Sequence, residues 1–534
     1  MKKFIVLLFI LLTGCSSSIV DTSKQTLRIL HTNDHHGHYL TDKYGQYGMA
    51  ARKTLIDTLR ASIASQGGSS LLLSGGDINT GTMESDIFDA EPDFLGMKYI
   101  GYDAMAVGNH EFDNEFSVIK KQMKWAGFPF LAANIFYKGT KNRVFKPYIV
   151  KEVQGVKIGI FGLTTKDTPF KASSDEGKKL FDFISIVDAA KEIVPVLRNK
   201  EKVDIVIAVT HVGHHGSSTS NGDIDVAKSV DGIDVIVGGH SQEVINAEVH
   251  NGTIIVQAED WGKYVGVLDL AIDKNNKKIA HDYKLVPVNL KKKVGGKRKL
   301  IEKEIKQDPT LEKFFSTYKY KAEQLGKKVV GTLLHDLSGA RKLVRSKQMP
   351  IGQFVGESLK YQVKGIDVVV LNGGSIRADL NKGPVSRKDI HNVHPYGNTI
   401  ITVELSTKEF FSYMSVVAKK AIVDPKNIIG GYPQMTGVKI TMTSGELTKV
   451  TSRNGDWKIE KINGKIISNK EKFTLGSMNF LGKGGDNYPR LADHKTYNDS
   501  GFMINVAMMN YVEAKKKVNT KQFRKNTKGT ITIK

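Results

Sequence analysis

Ala104-Met105-Ala106-Val107-Gly108-Asn109-His110-Glu111-Phe112-Asp113 compresses a strand, a glycine turn and a set of metal-type donors into one short stretch. The apolar run 104–107 suits a buried strand. Gly108 marks where it turns, and Asn109 and His110 stand at its carboxyl end. Four other runs follow the same plan. Residues 27–30 lead to Asp34 and His36, and 71–73 lead through Ser74-Gly75-Gly76 to Asp77. Residues 203–209 lead to His211, and 233–237 lead through Gly238-Gly239 to His240 and Gln242. Open parallel sheets bind ligands outside the carboxyl ends of their strands, so five such ends should converge on one crevice.

Stretches of helical spacing such as 49–64 and 188–198 separate the runs, and strand alternating with helix argues an α/β layered domain over 26–305. Residues 308–325 (DPTLEKFFSTYKYKAEQL) open on a capping Asp-Pro, carry apolar residues at helical spacing and stop at Gly326. They predict an isolated linker helix within 306–327. A second α/β unit is expected over 328–534, with strands at 368–371, 438–441 and 473–475 and a helix at 407–421. The expected fold is therefore two-domain α/β, and 534 residues are enough for both cores.

The first fifteen residues carry an address. Lys2 and Lys3 precede the apolar stretch 4–12, too short to span a membrane and suited to a secretory signal. Leu12-Thr13-Gly14-Cys15 resembles the lipobox of bacterial lipoproteins. That resemblance implies cleavage before Cys15, lipid on its sulfur and attachment to a membrane. The same resemblance, with Ser16 rather than Asp after the cysteine, implies an outer membrane if the cell has two, and 16–25 read as a tether. Cys15 is the single cysteine, which excludes an intrachain disulfide and thiolate catalysis. The net charge of +23 comes from scattered lysine. No basic-aromatic stripe accompanies it, so no nucleic-acid partner is expected. The one dense cluster, 291–299 (KKKVGGKRK), is broken by two glycines and reads as a loop.

The donors at the strand ends are carboxylates, imidazoles and amides without thiolate. A carboxylate can bridge two cations, and Asp77 is the natural bridge. Asp34, His36, Asn109, His211, His240 and Gln242 would be shared between the two ions. This mixture suits Zn, Mn, Co or Fe, with Zn, Mn and Co favoured, rather than calcium or a structural zinc knuckle. Two such ions can hold water and a phosphoryl oxygen together, the chemistry of a phosphoesterase. His35, His38, His214 and His215 read as supporting or surface histidines.

His31-Thr32-Asn33-Asp34-His35-His36-Gly37-His38, Gly75-Gly76-Asp77-Ile78-Asn79-Thr80-Gly81, the Gly108–Asp113 segment and Gly238-Gly239-His240-Ser241-Gln242 resemble the calcineurin-type metallophosphoesterase domain. More narrowly they are similar to the bacterial 5′-nucleotidase/UDP-sugar hydrolase family. The resemblance runs from about residue 27 to the end. It implies the same metal ligands and places a catalytic dyad on His110 and Asp113. It also implies a C-terminal domain that swings about the linker while carrying nucleotide to the metals.

In the second unit Arg341, Arg345 and Arg377 stand out among lysines, because a guanidinium fork suits bidentate phosphate contacts. Arg341 and Arg345 share a face if that stretch is helical. Tyr396 and Phe480 lie beside glycines, in segments read as loops, where rings can sandwich a base. With Gly430-Gly431-Tyr432-Pro433-Gln434, these segments resemble the family's nucleotide-recognition domain. The resemblance places substrate contacts on Arg341, Arg345, Arg377, Tyr396, Asn398, Gly430, Phe480 and Asp486. Tyr396 stands where some relatives have Phe, and the cysteine pairs of some exported relatives are absent. The expected function is an exported 5′-nucleotidase acting on nucleotides and nucleotide-sugars. The nearest rival is a 2′,3′-cyclic phosphodiesterase/3′-nucleotidase; a surface lipoprotein that binds nucleotide without turnover is the rival from another class.

Overall fold

The computed structural model describes residues 24–171, 176–216, 220–273, 278–396, 398–422 and 430–534. The signal, the lipidation site Cys15 and most of the tether lie outside these residues. Two six-stranded sheets form the N-terminal half. In the first, Lys24–Thr32, Ser69–Ser74, Ala104–Ala106 and Phe130–Leu131 run parallel, and Tyr264–Asp273 and Lys278–Pro287 extend it antiparallel. In the second, Val156–Thr164, Ile205–His211, Val235–Val237 and Thr253–Ala258 are parallel, flanked by antiparallel Tyr148–Val153 and Val244–His250.

Ile29, Leu71 and Ala104 of one sheet pack with Ile158, Ile205 and Val235 of the other, so these strands are buried on both faces. Burial on both sides is why they read as mainly apolar runs rather than alternating ones. Met49–Ala64, Glu91–Ile100 and Phe116–Ala126 cover the outer face of the first sheet. Ile186–Pro195 and Asp223–Ser229 cover that of the second.

The loops at the carboxyl ends are knitted together. Asp34 N–H donates to Gly76 O at 2.9 Å, Gly75 N–H to Thr32 O at 2.9 Å and Gly213 N–H to Gly239 O at 3.1 Å. The two sheets come so close that a Cβ on Gly75 would stand 2.4 Å from Gly238 O.

Pro309–Leu325 is the expected helix, capped by Asp308, whose side chain accepts from Leu311 N–H at 2.9 Å. It is not isolated. Leu311, Phe315 and Ala322 are buried, and the Phe315 ring lies 4.9 Å from that of Tyr39. Their spacing supplies an apolar stripe that the N-terminal core takes up. The C-terminal half has its own core around a five-stranded sheet of Pro433–Thr436, Val368–Asn372, Lys472–Met478, Thr399–Ser406 and Asn498–Met503. Pro350–Gln362, Thr407–Lys420 and Ile504–Lys515 pack against it.

Three local expectations are corrected. The basic run is a hairpin, Lys291–Val294 paired with Lys297–Leu300, because Gly295 and Gly296 both adopt positive φ (58° and 77°) and close a two-residue turn. The helix Arg341–Val344 ends before Arg345, so no extended helical face carries both arginines. Phe480 lies in the short helix Asn479–Gly482 rather than in a loop.

Candidate metal centre

Five of the seven donors sit on backbone that L-residues rarely adopt: Asp34 (φ 50°), His36 (48°), Asp77 (54°), His240 (79°) and Gln242 (52°). Strain of this kind costs of order 1–3 kcal/mol per residue and persists where the surroundings impose it, commonly at functional sites. The surroundings here are specific. Glu111, fully buried, accepts from Gly108 N–H at 2.6 Å, Ile78 N–H at 2.8 Å, Asp77 N–H at 3.2 Å and Asn79 N–H at 3.3 Å. One carboxylate thus shapes the loop that aims Asp77.

Asp77 stands in the middle. His211 Nε2 lies 2.9 Å and His36 Nε2 3.8 Å from Asp77 Oδ2, while Oδ1 accepts from His110 N–H at 2.9 Å. Burial pushes the Asp77 carboxyl up, but His211, His110 and His36 together hold it well below the usual carboxylate range. His36 is also 3.8 Å from Asp34 Oδ1 and 3.0 Å from Gln242 Nε2. His211 Nε2 is 3.2 Å from His240 Nδ1. Among the described residues two donor groups emerge, His36–Asp77–His110 and Asp77–His211–His240, and Asp77 belongs to both.

The far nitrogens of two rings are anchored: His36 Nδ1 on Thr80 O at 2.9 Å and His211 Nδ1 on Gly75 O at 2.7 Å. A backbone carbonyl on Nδ1 fixes the tautomer that leaves Nε2 as the donor atom. Burial opposes charge on both rings, yet Asp34 and Asp77 raise His36 to about 10, and Asp77 raises His211 to about 9. The site is built to hold positive charge between carboxylates. Asn109 is fully buried, and neither Oδ1 nor Nδ2 of its amide has a hydrogen-bond partner. A buried amide orphaned at both ends needs a ligand to satisfy it. Mixed nitrogen and oxygen donors around a shared carboxylate fit a pair of divalent cations.

His110 joins its Nδ1 to Asp113 Oδ2 at 2.5 Å, and Thr80 Oγ1 donates to the same oxygen at 2.5 Å. Burial lowers the His110 pKa, but Asp113 and Asp77 carry it above the ordinary value. The other side of His110 meets the C-terminal half. A Cβ built on Gly501 (φ 74°) would stand 2.3 Å from His110 Nε2 and 3.4 Å from Asn109 Nδ2. The two polar atoms therefore look out on the same side, and the Gly501 main chain covers it.

Of the residues that support the donors, the sequence marks His35 as supporting or surface and gives its partners no signal. Glu111 was visible in the Gly-Asn-His-Glu run without an assigned role. His35, between two donors, has Nδ1 3.2 Å from Arg52 Nη2 and Nε2 3.0 Å from Asp93 Oδ1, with all three side chains buried. Ser85 Oγ donates to Asp93 at 2.6 Å, completing a brace from the Asp34–His36 loop into the helical layer. Gly108 is a further support. A Cβ there would lie 2.1 Å from Asp77 Oδ1 and 2.5 Å from Asp77 N. Gly108→Ala is therefore expected to lower the melting temperature by roughly 3–10 °C and to displace the bridge. Calorimetry with and without Mn²⁺ checks both effects.

In the C-terminal half, burial together with Arg341 and Arg377 lowers the Arg345 pKa, opposed by Tyr396 and Asp486. These five predicted residues therefore share one neighbourhood. Asp486 Oδ2 accepts from Asn372 Nδ2 at 2.6 Å, and a Cβ on Gly430 would lie 3.3 Å from the same oxygen. Asn398 Nδ2 donates to Asn479 Oδ1 at 3.0 Å, which ties the segment after Tyr396 to the one before Phe480. Both rings are exposed, at 38% and 44%. Crowded guanidinium groups beside exposed rings make a place for an anion carrying a flat group.

Known proteins share this plan. Residues 27–243 match the family described as calcineurin-like phosphoesterase, and 329–493 match the 5′-nucleotidase C-terminal domain. The chain is 40% identical over 526 residues to a 5′-nucleotidase of Vibrio cholerae, covering 93% of this chain and 92% of that one. It is 38% identical to the protein UshA of Escherichia coli, covering 91% and 90%. Among solved structures, the NAD nucleotidase of Haemophilus influenzae superposes with a TM-score of 0.73 at 20% identity, covering 96% of this chain and 99% of that one. At that identity the likeness speaks for the fold alone.

Proposed function

The chain belongs to the 5′-nucleotidase family and is a phosphoric ester hydrolase that acts on nucleotides; on that premise we propose that it is an exported dimetal 5′-nucleotidase, releasing phosphate from nucleoside 5′-phosphates and also cleaving UDP-sugars and nucleoside di- and triphosphates. The observation that carries the reading is one carboxylate, Asp77, common to two buried donor groups, with His110–Asp113 beside it.

The calcineurin-like fold implies a dimetal site. Asp34, His36, Asp77, Asn109, His211, His240 and Gln242 would hold the ions, with Zn, Mn or Co as the proposed metals. When bound, two divalent cations supply Lewis-acid stabilisation of phosphoryl charge and acidify water. The remaining steps belong to the chain. Asn109 offers Oδ1 as a ligand and keeps Nδ2 as a donor for a phosphoryl oxygen. His110, with Asp113 holding Nδ1–H, is the proton donor at Nε2 for the departing ester oxygen. Arg341, Arg345 and Arg377 would take the phosphate tail, and Tyr396 and Phe480 the base, with Asn398, Gly430 and Asp486 shaping the pocket. The Gly501 main chain covers Nε2 of His110 in this conformation. Substrate therefore needs the C-terminal half (328–534) displaced from the N-terminal domain (26–305), and the proposed hinge begins or ends at the linker helix.

We place the enzyme outside the cytoplasm, anchored through lipid on Cys15. Label from a fatty acid should enter the wild-type chain and be absent from Cys15→Ser. The substrate reading is tested with metal-stripped protein refilled with Mn²⁺, Co²⁺ or Zn²⁺ and offered 5′-AMP, 3′-AMP, 2′,3′-cyclic AMP, ATP and UDP-glucose. Metal-restored phosphate release with 5′-AMP as the best monophosphate is expected. A preference for 3′-AMP and the cyclic ester would move the chain to the 3′-nucleotidase branch. Nucleotide binding with no turnover under any metal would leave a binding lipoprotein.

A further inference from the structure

A second meeting of donors involves the loop that follows His211. His214 in that loop points Nε2 at Glu248 Oε2 from 3.1 Å, and His250 points Nε2 at the same oxygen from 3.3 Å. Glu248 and His250 stand two residues apart on Val244–His250, the edge strand of the second sheet, so their side chains leave one face. The pairing of this strand with Thr253–Ala258 shifts register between Ile245 and Glu248, and Ala247 adopts φ 54°. An irregularity of that kind re-aims the side chains beyond it. We propose that His214, Glu248 and His250 form a third divalent-cation site, of the open zinc type, with water in the fourth position.

The donor set is the first argument. Two imidazoles and one carboxylate with a free position is a recurrent zinc arrangement. Geometry is the second. With metal–ligand bonds of about 2.0–2.2 Å, neighbouring ligand atoms of a tetrahedral site lie about 3.3–3.5 Å apart. The two nitrogen–oxygen edges here, 3.1 and 3.3 Å, are already close to that length. Three mutually close donors occur among the described residues only at the dimetal centre, so the cation must draw His250 toward His214. His250 is 25% exposed and Glu248 48%, which leaves both free to turn, while His214 at 3% is the fixed corner. Burial also lowers the His214 pKa, which keeps the ring in its ligand form. The site is linked to the main centre by one hydrogen bond, since His214 N–H donates to the Ser241 hydroxyl at 3.2 Å, beside His240. A cation here would brace the loops of His211 and His240 against the edge strand.

The test counts metal on the full chain, stripped and then equilibrated with Zn²⁺ before gel filtration and elemental analysis. Wild-type protein should hold one zinc equivalent more than Glu248→Gln or His250→Ala. Both variants alter side chains outside the dimetal centre and should keep wild-type 5′-AMP hydrolysis when loaded with Mn²⁺. The surface variant His281→Ala serves as control and should retain the full complement. Equal zinc in wild type and both site variants overturns the proposal, as does an equal loss in His281→Ala, which would mark non-specific uptake.

Discussion

His110→Ala is expected to lower kcat for 5′-AMP by roughly 10²–10⁴-fold, the range for a positioned proton donor, while metal content stays at the wild-type level. The argument rests on what each side of the ring touches. Nδ1 is tied to Asp113 at 2.5 Å, and Nε2 shares its outlook with Asn109 Nδ2. The ring is buried, yet Asp113 and Asp77 raise its pKa above the ordinary value, which favours the protonated form that can give a proton. That form is present below the raised pKa and lost above it, so activity should fall on the alkaline side. Asp113→Asn removes one of the charges that raises the pKa, and its alkaline limb should move to lower pH with a smaller loss of kcat. An unchanged kcat in His110→Ala, or metal lost in parallel with activity, would remove the ring from the chemistry and make it a ligand.

Much of this site could be read from the chain because strand ends in a parallel sheet announce themselves. The run at 205–209 is apolar throughout since Ile205–His211 is buried on both faces, and the polar side chains that follow such a run fall toward the crevice. What could not be read depends on distant parts of the fold. Asp34 and His36 carry positive φ with no glycine to signal it, and the brace that holds their loop reaches through His35 to Arg52 and Asp93. Gly501 against His110 joins segments nearly four hundred positions apart, and neither segment advertises the other. The hairpin at Lys291–Leu300 is hidden for a local reason: two glycines look like a break until their φ values show that they form the turn. The arginines teach a similar lesson. Position on a helix would have paired Arg341 with Arg345, but the helix stops at Val344, and it is the packing of the second core that gathers both with Arg377.

Asp77→Asn should have the other large effect, abolishing metal-restored activity and weakening metal binding by more than about 100-fold, beyond the 10–100-fold typical of outer-shell partners. The substitution keeps shape and removes charge. An amide oxygen can still accept from His110 N–H, now at 2.9 Å, and Glu111 still shapes the loop, so the fold should survive. The two imidazoles respond in the same sense. His36 and His211 stand at about 10 and about 9 with Asp77 among the causes, and without its charge both pKa values should drop as burial reasserts itself. The rings then shed protons instead of remaining as uncompensated charges, which limits the cost in stability. A thermal-shift experiment separates the two consequences. Wild-type protein should gain melting temperature as Mn²⁺ is added, because an ion that binds only the folded chain stabilises it in proportion to ln(1 + [L]/Kd). Asp77→Asn should melt near the metal-free wild type and gain little at the same concentrations. A full metal-induced gain in the variant would mean that Asp77 is not the bridge and that Asp34 with the histidines suffices to hold both ions.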